Sequence, residues 1–333
     1  MSKVKRPTSR VRTVAALVLP FIFSAVLLSP LFIRRSTEAT VSVTTNSLTF
    51  QVGQLDSRRI GILLPLSHSD LRLEHVRSMD IYVGDTGSPE HLSSTDGQCS
   101  LSLSEARVAT ARPSPGDFMT LEWRETEPDW IHARIWKDGN DGTQATRRLT
   151  VETAGKVTEL SGCTNSERVA GSQVADYGPL EVACQGDCSY SYRRVPADSL
   201  LETEVPLLGG SKVDLTRTAY GQTESGIIEP VGSLAVQGAT PAVINPGFYV
   251  VLGEIQSGLI KRLTVDKGLR VTVAGKFGQL QTGPAMELLT DQRPTYWSGI
   301  ARDTGFGKYS AAVLVLGAAI LSGLTRLKIV EKE

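Results

Sequence analysis

The densest knot of side chains able to do chemistry is Glu122, Glu125, Glu127 and Asp129, threaded with Trp123 and Trp130. Paired carboxylates can serve as general acid and base at a glycosidic bond, and an indole beside them can hold a sugar ring. The carboxylate spacing for that chemistry is set in space and not along the chain. Glu122, Trp123, Glu127 and Trp130 therefore stand as ligand-contact candidates for binding or processing a glycan. The competing reading is plainer: core tryptophans beside a solvated run of charge.

Other chemistries find less. His68, His75 and His91 fall close together, near Asp70, Glu74, Asp80 and Asp85. A metal needs three or four convergent ligands, and His68-x-Asp70 offers two. No His-Glu-x-x-His occurs, nor any Gly-x-Ser-x-Gly, phosphate-binding Gly-x4-Gly-Lys-Ser/Thr or Gly-x-Gly-x-x-Gly. The chain leans towards a non-catalytic role, with catalysis left open, and calls for no metal and no cofactor.

The four cysteines, Cys99, Cys163, Cys184 and Cys188, all lie in the central part of the chain. An even number in an exported segment points to two disulfides. If Gln185-Gly186-Asp187 is a three-residue hairpin loop, Cys184 and Cys188 face each other within disulfide reach, with Val182, Tyr190 and Tyr192 on their side. Cys99 with Cys163 follows by elimination. A Cys-x3-Cys pair alone does not have the spacing of a redox or zinc site.

These groups need elements to hold them, and the ends of the chain set the frame. Val14 to Ile33 is twenty residues without a charge, about 30 Å as a helix, the thickness of a bilayer's hydrocarbon core. A shorter apolar run, Tyr309 to Leu324, approaches the other end. Eleven of the 35 basic residues lie in or beside the tails, outside 36–307, against two of the 35 acidic ones, which leaves that segment at about −9. A basic nucleic-acid footprint is thus missing from it. Lys3, Lys5, Arg6, Arg10 and Arg12 precede the first run, and Arg326, Lys328 and Lys332 follow the second, so both tails belong in the cytoplasm. A cleaved signal peptide is the rival for the first run, but its apolar stretch is long for one and ends on Arg34 and Arg35.

Between the runs, apolar and polar residues alternate with the period of half-buried strands, as in Val41, Val43, Leu48, Phe50 and Val52. In Trp130–Trp136 both tryptophans share a face with His132 and Arg134, and Ile131, Ala133 and Ile135 line the other. Later strands are expected at Phe248–Leu252, Leu259–Val265, Leu269–Val273 and Phe277–Leu280. Ser69–Met79 reads as a helical stretch and Pro284–Thr290 as a short helix. Leu149…Ala154-Gly155-Lys156 echoes Leu269…Ala274-Gly275-Lys276, as two strands joined by a tight turn or a duplicated β-domain produces. Tyr296, Trp297, Phe306 and Tyr309 form an aromatic belt for the membrane interface. Gly317, Ala319 and Gly323 give the second run a small-residue packing face.

The expected fold is mainly β: one or two extracytoplasmic β-sandwich-like domains flanked by an N-terminal and a C-terminal transmembrane helix. In order these are a basic cytoplasmic tail (1–13), a first transmembrane helix (14–33), a β-rich region in two halves (36–165 and 166–300, the latter with the disulfide hairpin), a second transmembrane helix (309–325) and a cytoplasmic tail (326–333). Gly247-Phe-Tyr-Val-Val-Leu-Gly-Glu254 resembles a stretch of the β-domain between two membrane helices in mitochondrial-ligase-like (GIDE-type) proteins. No RING follows, so the resemblance implies that topology and no ligase activity. The expected function is a non-catalytic protein of the bacterial inner membrane with its main domain in the periplasm, a scaffold or accessory subunit of a membrane complex. Its expected partners are the lipid bilayer and other membrane proteins, or further copies joined through the second helix; nucleic acid is not among them. The alternative is an envelope protein that binds or processes glycans with the acidic/Trp cluster.

Overall fold

The structure is a computed structural model that describes residues 34, 36–54, 62–64, 69–76, 78–83, 89–94, 99–137, 146–153, 156–164, 177–185, 188–193, 204–219, 221–237, 239–265 and 267–295. Residues Ser36–Gln292 form one compact unit, and the two terminal segments cluster as another. Among the described residues the secondary structure is strand throughout, apart from a single 3-10 turn at Met286–Leu288.

The first strands are β1 (Thr37–Thr45), β2 (Ser47–Gln51), β3 (Ile62–Leu64), β4 (Ser69–Val76), β5 (Ser78–Val83), β6 (Pro89–Ser93) and β7 (Cys99–Arg112). Next come β8 (Phe118–Arg124), β9 (Glu127–Trp136), β10 (Thr146–Thr153), β11 (Lys156–Ser161), β12 (Tyr177–Gln185) and β13 (Cys188–Arg193). The rest are β14 (Val205–Pro206), β15 (Val213–Asp214), β16 (Thr216–Ala219), β17 (Gln222–Ser225), β18 (Ile227–Val236), β19 (Ala242–Ile244), β20 (Tyr249–Val265), β21 (Leu269–Gly283) and β22 (Thr290–Asp291).

The antiparallel pairings close into two rings. In the first, β1 pairs with β21, β21 with β20, β20 with β15 and β15 with β2, and β1 runs on into β2 through Asn46. In the second, β4 pairs with the first half of β7, whose second half pairs with β10; β10 pairs with β12, β12 with β5, and β4 leads on to β5. The run β2–β8–β9–β13–β4 connects the rings. Beside these rings β3, β11 and β19 each pair on one side only among the described residues, so they are edge strands.

The corner between β1 and β2 shows how local chemistry bends a strand. Thr45 Oγ1 donates to the Ser47 carbonyl at 2.8 Å, the Asn46 amide donates to Gly226 and the Asn46 carbonyl accepts from Trp123. Each backbone group freed by the bend that these bonds reach is thus satisfied although the corner is buried. A Cβ on Gly226 would fall 2.3 Å from the Leu215 carbonyl oxygen, so this close approach needs glycine.

Several expectations change. Ser69–Met79 is not a helix: Leu71 and Leu73 are fully buried while Arg72 and Glu74 are exposed, the signature of a strand. A register shift between Leu73 and Val76 breaks the alternation, and that is why the spacing looks helical in sequence. Of the strand expected at Phe248–Leu252, Tyr249–Leu252 belongs with Leu259–Val265 to one strand, β20, and Leu269–Val273 and Phe277–Leu280 belong to another, β21. Ala274-Gly275 is therefore no turn. Gly275 faces the bulge of β20, where a Cβ would meet the Ser257 carbonyl oxygen at 2.4 Å. Its echo at 149–156 spans two strands, β10 and β11. Pro284–Thr290 holds one 3-10 turn.

The cysteine hairpin also changes. β12 pairs with β10 and β5, and β13 with β9 and β4, so each already has a neighbour on both sides and the two do not pair with each other among the described residues. Cys99 and Cys163 are bonded, with Cα atoms 4.6 Å apart. Cys188 is disulfide-bonded too, and the side chain of Cys184 lies outside the described residues.

No helix among the described residues is long and apolar enough to cross a membrane. The runs 14–33 and 309–325 lie outside those residues, as do Tyr296, Trp297, Phe306, Tyr309, Gly317, Ala319 and Gly323.

Candidate functional site

Strands β9, β13, β4, β7 and β11 lie side by side in that order, and between their register shifts apolar and polar residues take opposite faces. Ile131, Ala133 and Ile135, Tyr190 and Tyr192, Leu71 and Leu73, and Leu101 and Leu103 all point into the core. The other face is polar. Register aligns it in rows: Glu122, His132, Ser191, Arg72, Ser102 and Glu159 form one, and Thr120, Arg134, Ser189 and Glu74 begin the next.

At one end of this face stands the β8–β9 hairpin with the acidic/Trp cluster. The structure separates its two tryptophans. Trp123 packs half-buried against the core and its Nε1 donates to the Pro128 carbonyl at 3.0 Å. Trp130 is on the polar face, where the guanidinium of Arg72 lies over its ring, 3.9 Å from the centroid. The carboxylates are engaged as well. Glu122 accepts from Arg124 at 3.0 Å, and Glu127 Oε2 lies 2.9 Å from His132 Nε2. His132 Nε2 has no hydrogen bond of good geometry there, and because burial favours the neutral ring this is a close polar contact rather than an ion pair.

His132 Nδ1 lies 2.8 Å from Ser191 Oγ, so the hairpin completes a serine–histidine–glutamate chain. Burial holds the imidazole below its ordinary pKa and the Arg124 charge adds to this, while Glu127 pulls the other way. With the Glu127–His132 link not hydrogen-bonded, the chain is not set up to activate Ser191 for nucleophilic attack. Ser191 is 5% exposed and belongs to a strand paired on both sides, whose amides are spent in the ladder. An acyl-transfer site needs an open hydroxyl and free N–H donors for the oxyanion.

Further along the face is a feature absent from the sequence reading. Arg72, Leu73 and Glu74 of β4, Ser100 and Ser102 of β7, and Glu159 and Ser161 of β11 line a trough of about 380 Å³. It arises from side-chain length: over Cys99–Ser104 β7 presents serines outward, while its neighbours carry Arg and Glu. The Ser100 and Ser161 hydroxyls are 3.3 Å apart across the floor. No carboxylate lies within ion-pair distance of Arg72 among the described residues, although Glu74 and Glu159 line the same trough. The signal is present in the sequence as Cys99-Ser-Leu-Ser-Leu-Ser104, matched by Cys188-Ser-Tyr-Ser-Tyr192, and these two strands flank β4 on either side.

The remaining candidates are dispersed. His91 Nδ1 is 2.7 Å from Asp80 at an exposed site, Asp70 takes Arg193 at 3.3 Å, and no group of three or more metal-ligating side chains converges among the described residues. His68 and the side chain of His75 lie outside those residues. In comparisons with known proteins, the chain matches no family model, no curated protein and no solved structure.

Proposed function

We propose that the chain is a non-catalytic, membrane-anchored envelope protein, a scaffold or accessory subunit that holds its β-built body outside the cytoplasm. The observation that carries this reading is where the body begins and ends. Thr37, in the first strand, lies opposite Phe277 of β21, and the Gln292 amide, just past the last strand, donates to the Leu280 carbonyl of the same strand. Three residues of one strand separate them, about 10 Å. In the terminal segments, Arg34 makes a β-bridge with Thr295, and its guanidinium donates to the Arg293 carbonyl at 2.6 Å. A body whose ends meet in this way suits two membrane helices, 14–33 and 309–325, descending from one point.

The Cys99–Cys163 bond fits an oxidising compartment. The Ser191–His132–Glu127 chain, shut against nucleophilic use, fits a binding role better than a catalytic one. The small-residue face of Gly317, Ala319 and Gly323 then serves association, with the lipid bilayer and either another membrane protein or another copy as neighbours. Extraction in mild detergent after chemical crosslinking should yield a defined complex that Gly317→Leu and Gly323→Leu disperse. A monomer with no crosslinked neighbour contradicts the proposal.

A further inference from the structure

We infer that the serine-floored trough over β7 binds a neutral, hydroxyl-rich ligand, a linear carbohydrate lying along the strand. The inference goes beyond the anchoring role and does not depend on it, because the trough is a property of the folded body wherever that body resides.

The donor set is what selects the ligand. Arg72 only donates hydrogen bonds, ionised Glu74 and Glu159 only accept them, and Ser100, Ser102 and Ser161 do both. Sugar hydroxyls, which donate and accept alike, can satisfy all three kinds at once. Other ligand classes meet an obstacle. An anion drawn to Arg72 is opposed by two carboxylates, so the lining carries one net negative charge. A metal cation has Arg72 in its way. A peptide seeking to add a strand finds no open backbone on the trough's floor, since β4 and β11 already pair along both sides of β7.

Shape agrees. The walls, β4 and β11, are two strand spacings apart, roughly 9–10 Å, and the β7 residues that line the trough, Ser100 and Ser102, cover about 7 Å of strand. Ser104 continues the serine column beyond it, so a chain seated in the trough can run on along the strand. Trp130 has a different part from the one its type suggests. One of its faces carries Arg72, so it braces the guanidinium at the trough's edge, a positioning residue rather than the sugar platform.

The test uses the full chain in detergent micelles, titrated calorimetrically with chitotetraose and maltotetraose as neutral probes and tetragalacturonate as an acidic one. At least one neutral probe should bind saturably and more tightly than the acidic one. Ser102→Tyr, which fills the floor, and Arg72→Gln, which removes the donor, should each weaken it about tenfold or more, the loss expected for a hydrogen bond to a charged group. Glu122→Gln, in the hairpin, should leave it unchanged. Circular dichroism and an intact Cys99–Cys163 bond certify that each variant is folded. Failure of both neutral probes to bind, tighter binding of the acidic probe, or full affinity in either trough variant would overturn the inference.

Discussion

The β8–β9 hairpin and the trough over β7 share one face of one sheet, with β13 and β4 between the hairpin and β7, and both are built from acids, an arginine and serines or tryptophans. In the hairpin, Glu122 holds Arg124, Glu127 holds His132 and the Trp123 indole nitrogen is spent on Pro128. In the trough, Arg72 rests on an aromatic ring and its two glutamates stay out of ion-pair distance. The hairpin is the more suggestive stretch in sequence and the more closed one in space. Residue type advertises chemistry, but availability is decided by the neighbours that register supplies.

The largest test of this contrast is the Cys99–Cys163 bond, which ties the start of β7 to the end of β11, floor to wall. Its sequence separation of 64 corresponds to about 4 kcal/mol on the chain-entropy model. Cys99→Ser with Cys163→Ser should lower the unfolding free energy in urea by about that much and abolish carbohydrate binding. Retained binding would show that the trough does not need its staple.

The two tryptophans should then respond in opposite senses. Trp123→Ala removes a ring packed on the core and should cost about 2 kcal/mol of stability without touching the trough. Trp130→Ala should cost about 1 kcal/mol, the scale of an exposed cation–π contact with some packing, yet weaken carbohydrate binding by releasing Arg72. Equal effects of the two variants on binding would erase the distinction between hairpin and trough.

His132 gives the hairpin a pH signature that the trough does not share. Its folded pKa lies below the ordinary value of 6.5, so as pH falls past that value the unfolded chain takes up the proton first. Stability therefore drops between the ordinary value and the lower folded one, and this residue contributes no slope above. His132→Gln should flatten that part of the curve in thermal melts; an unchanged curve means the ring is not held neutral. Smallest of all, Glu122→Gln should shift stability by no more than about 0.5 kcal/mol, because its pair with Arg124 is exposed to solvent.

Much of this was legible from the chain. The alternation in Trp130–Trp136 assigned both faces of β9, and counting cysteines paired Cys99 with Cys163. What stayed hidden was long-range register. Arg72 meets Ser102 and Ser191 only because β7 and β13 take opposite flanks of β4, and no local pattern encodes which strands become neighbours. Irregular spots misled as well. The shift between Leu73 and Val76 imitated a helix, and Gly275, needed where two backbones approach, imitated a turn. Strands β12 and β13 do not pair as the expected hairpin among the described residues for a related reason, since each takes other neighbours, and this leaves the expected bonding of the cysteines untouched, as Cys188 is disulfide-bonded.

Hairpin and trough can meet envelope ligands only if the polar face looks away from the cytoplasm, so the orientation of the body is the central claim. Intact spheroplasts carrying the full chain with a C-terminal tag, treated with a protease added from outside, test it directly. The β-built body should be digested and the tagged C-terminal tail should survive until the membrane is breached. A body that resists until detergent is added, under conditions that digest a periplasmic control, would contradict it.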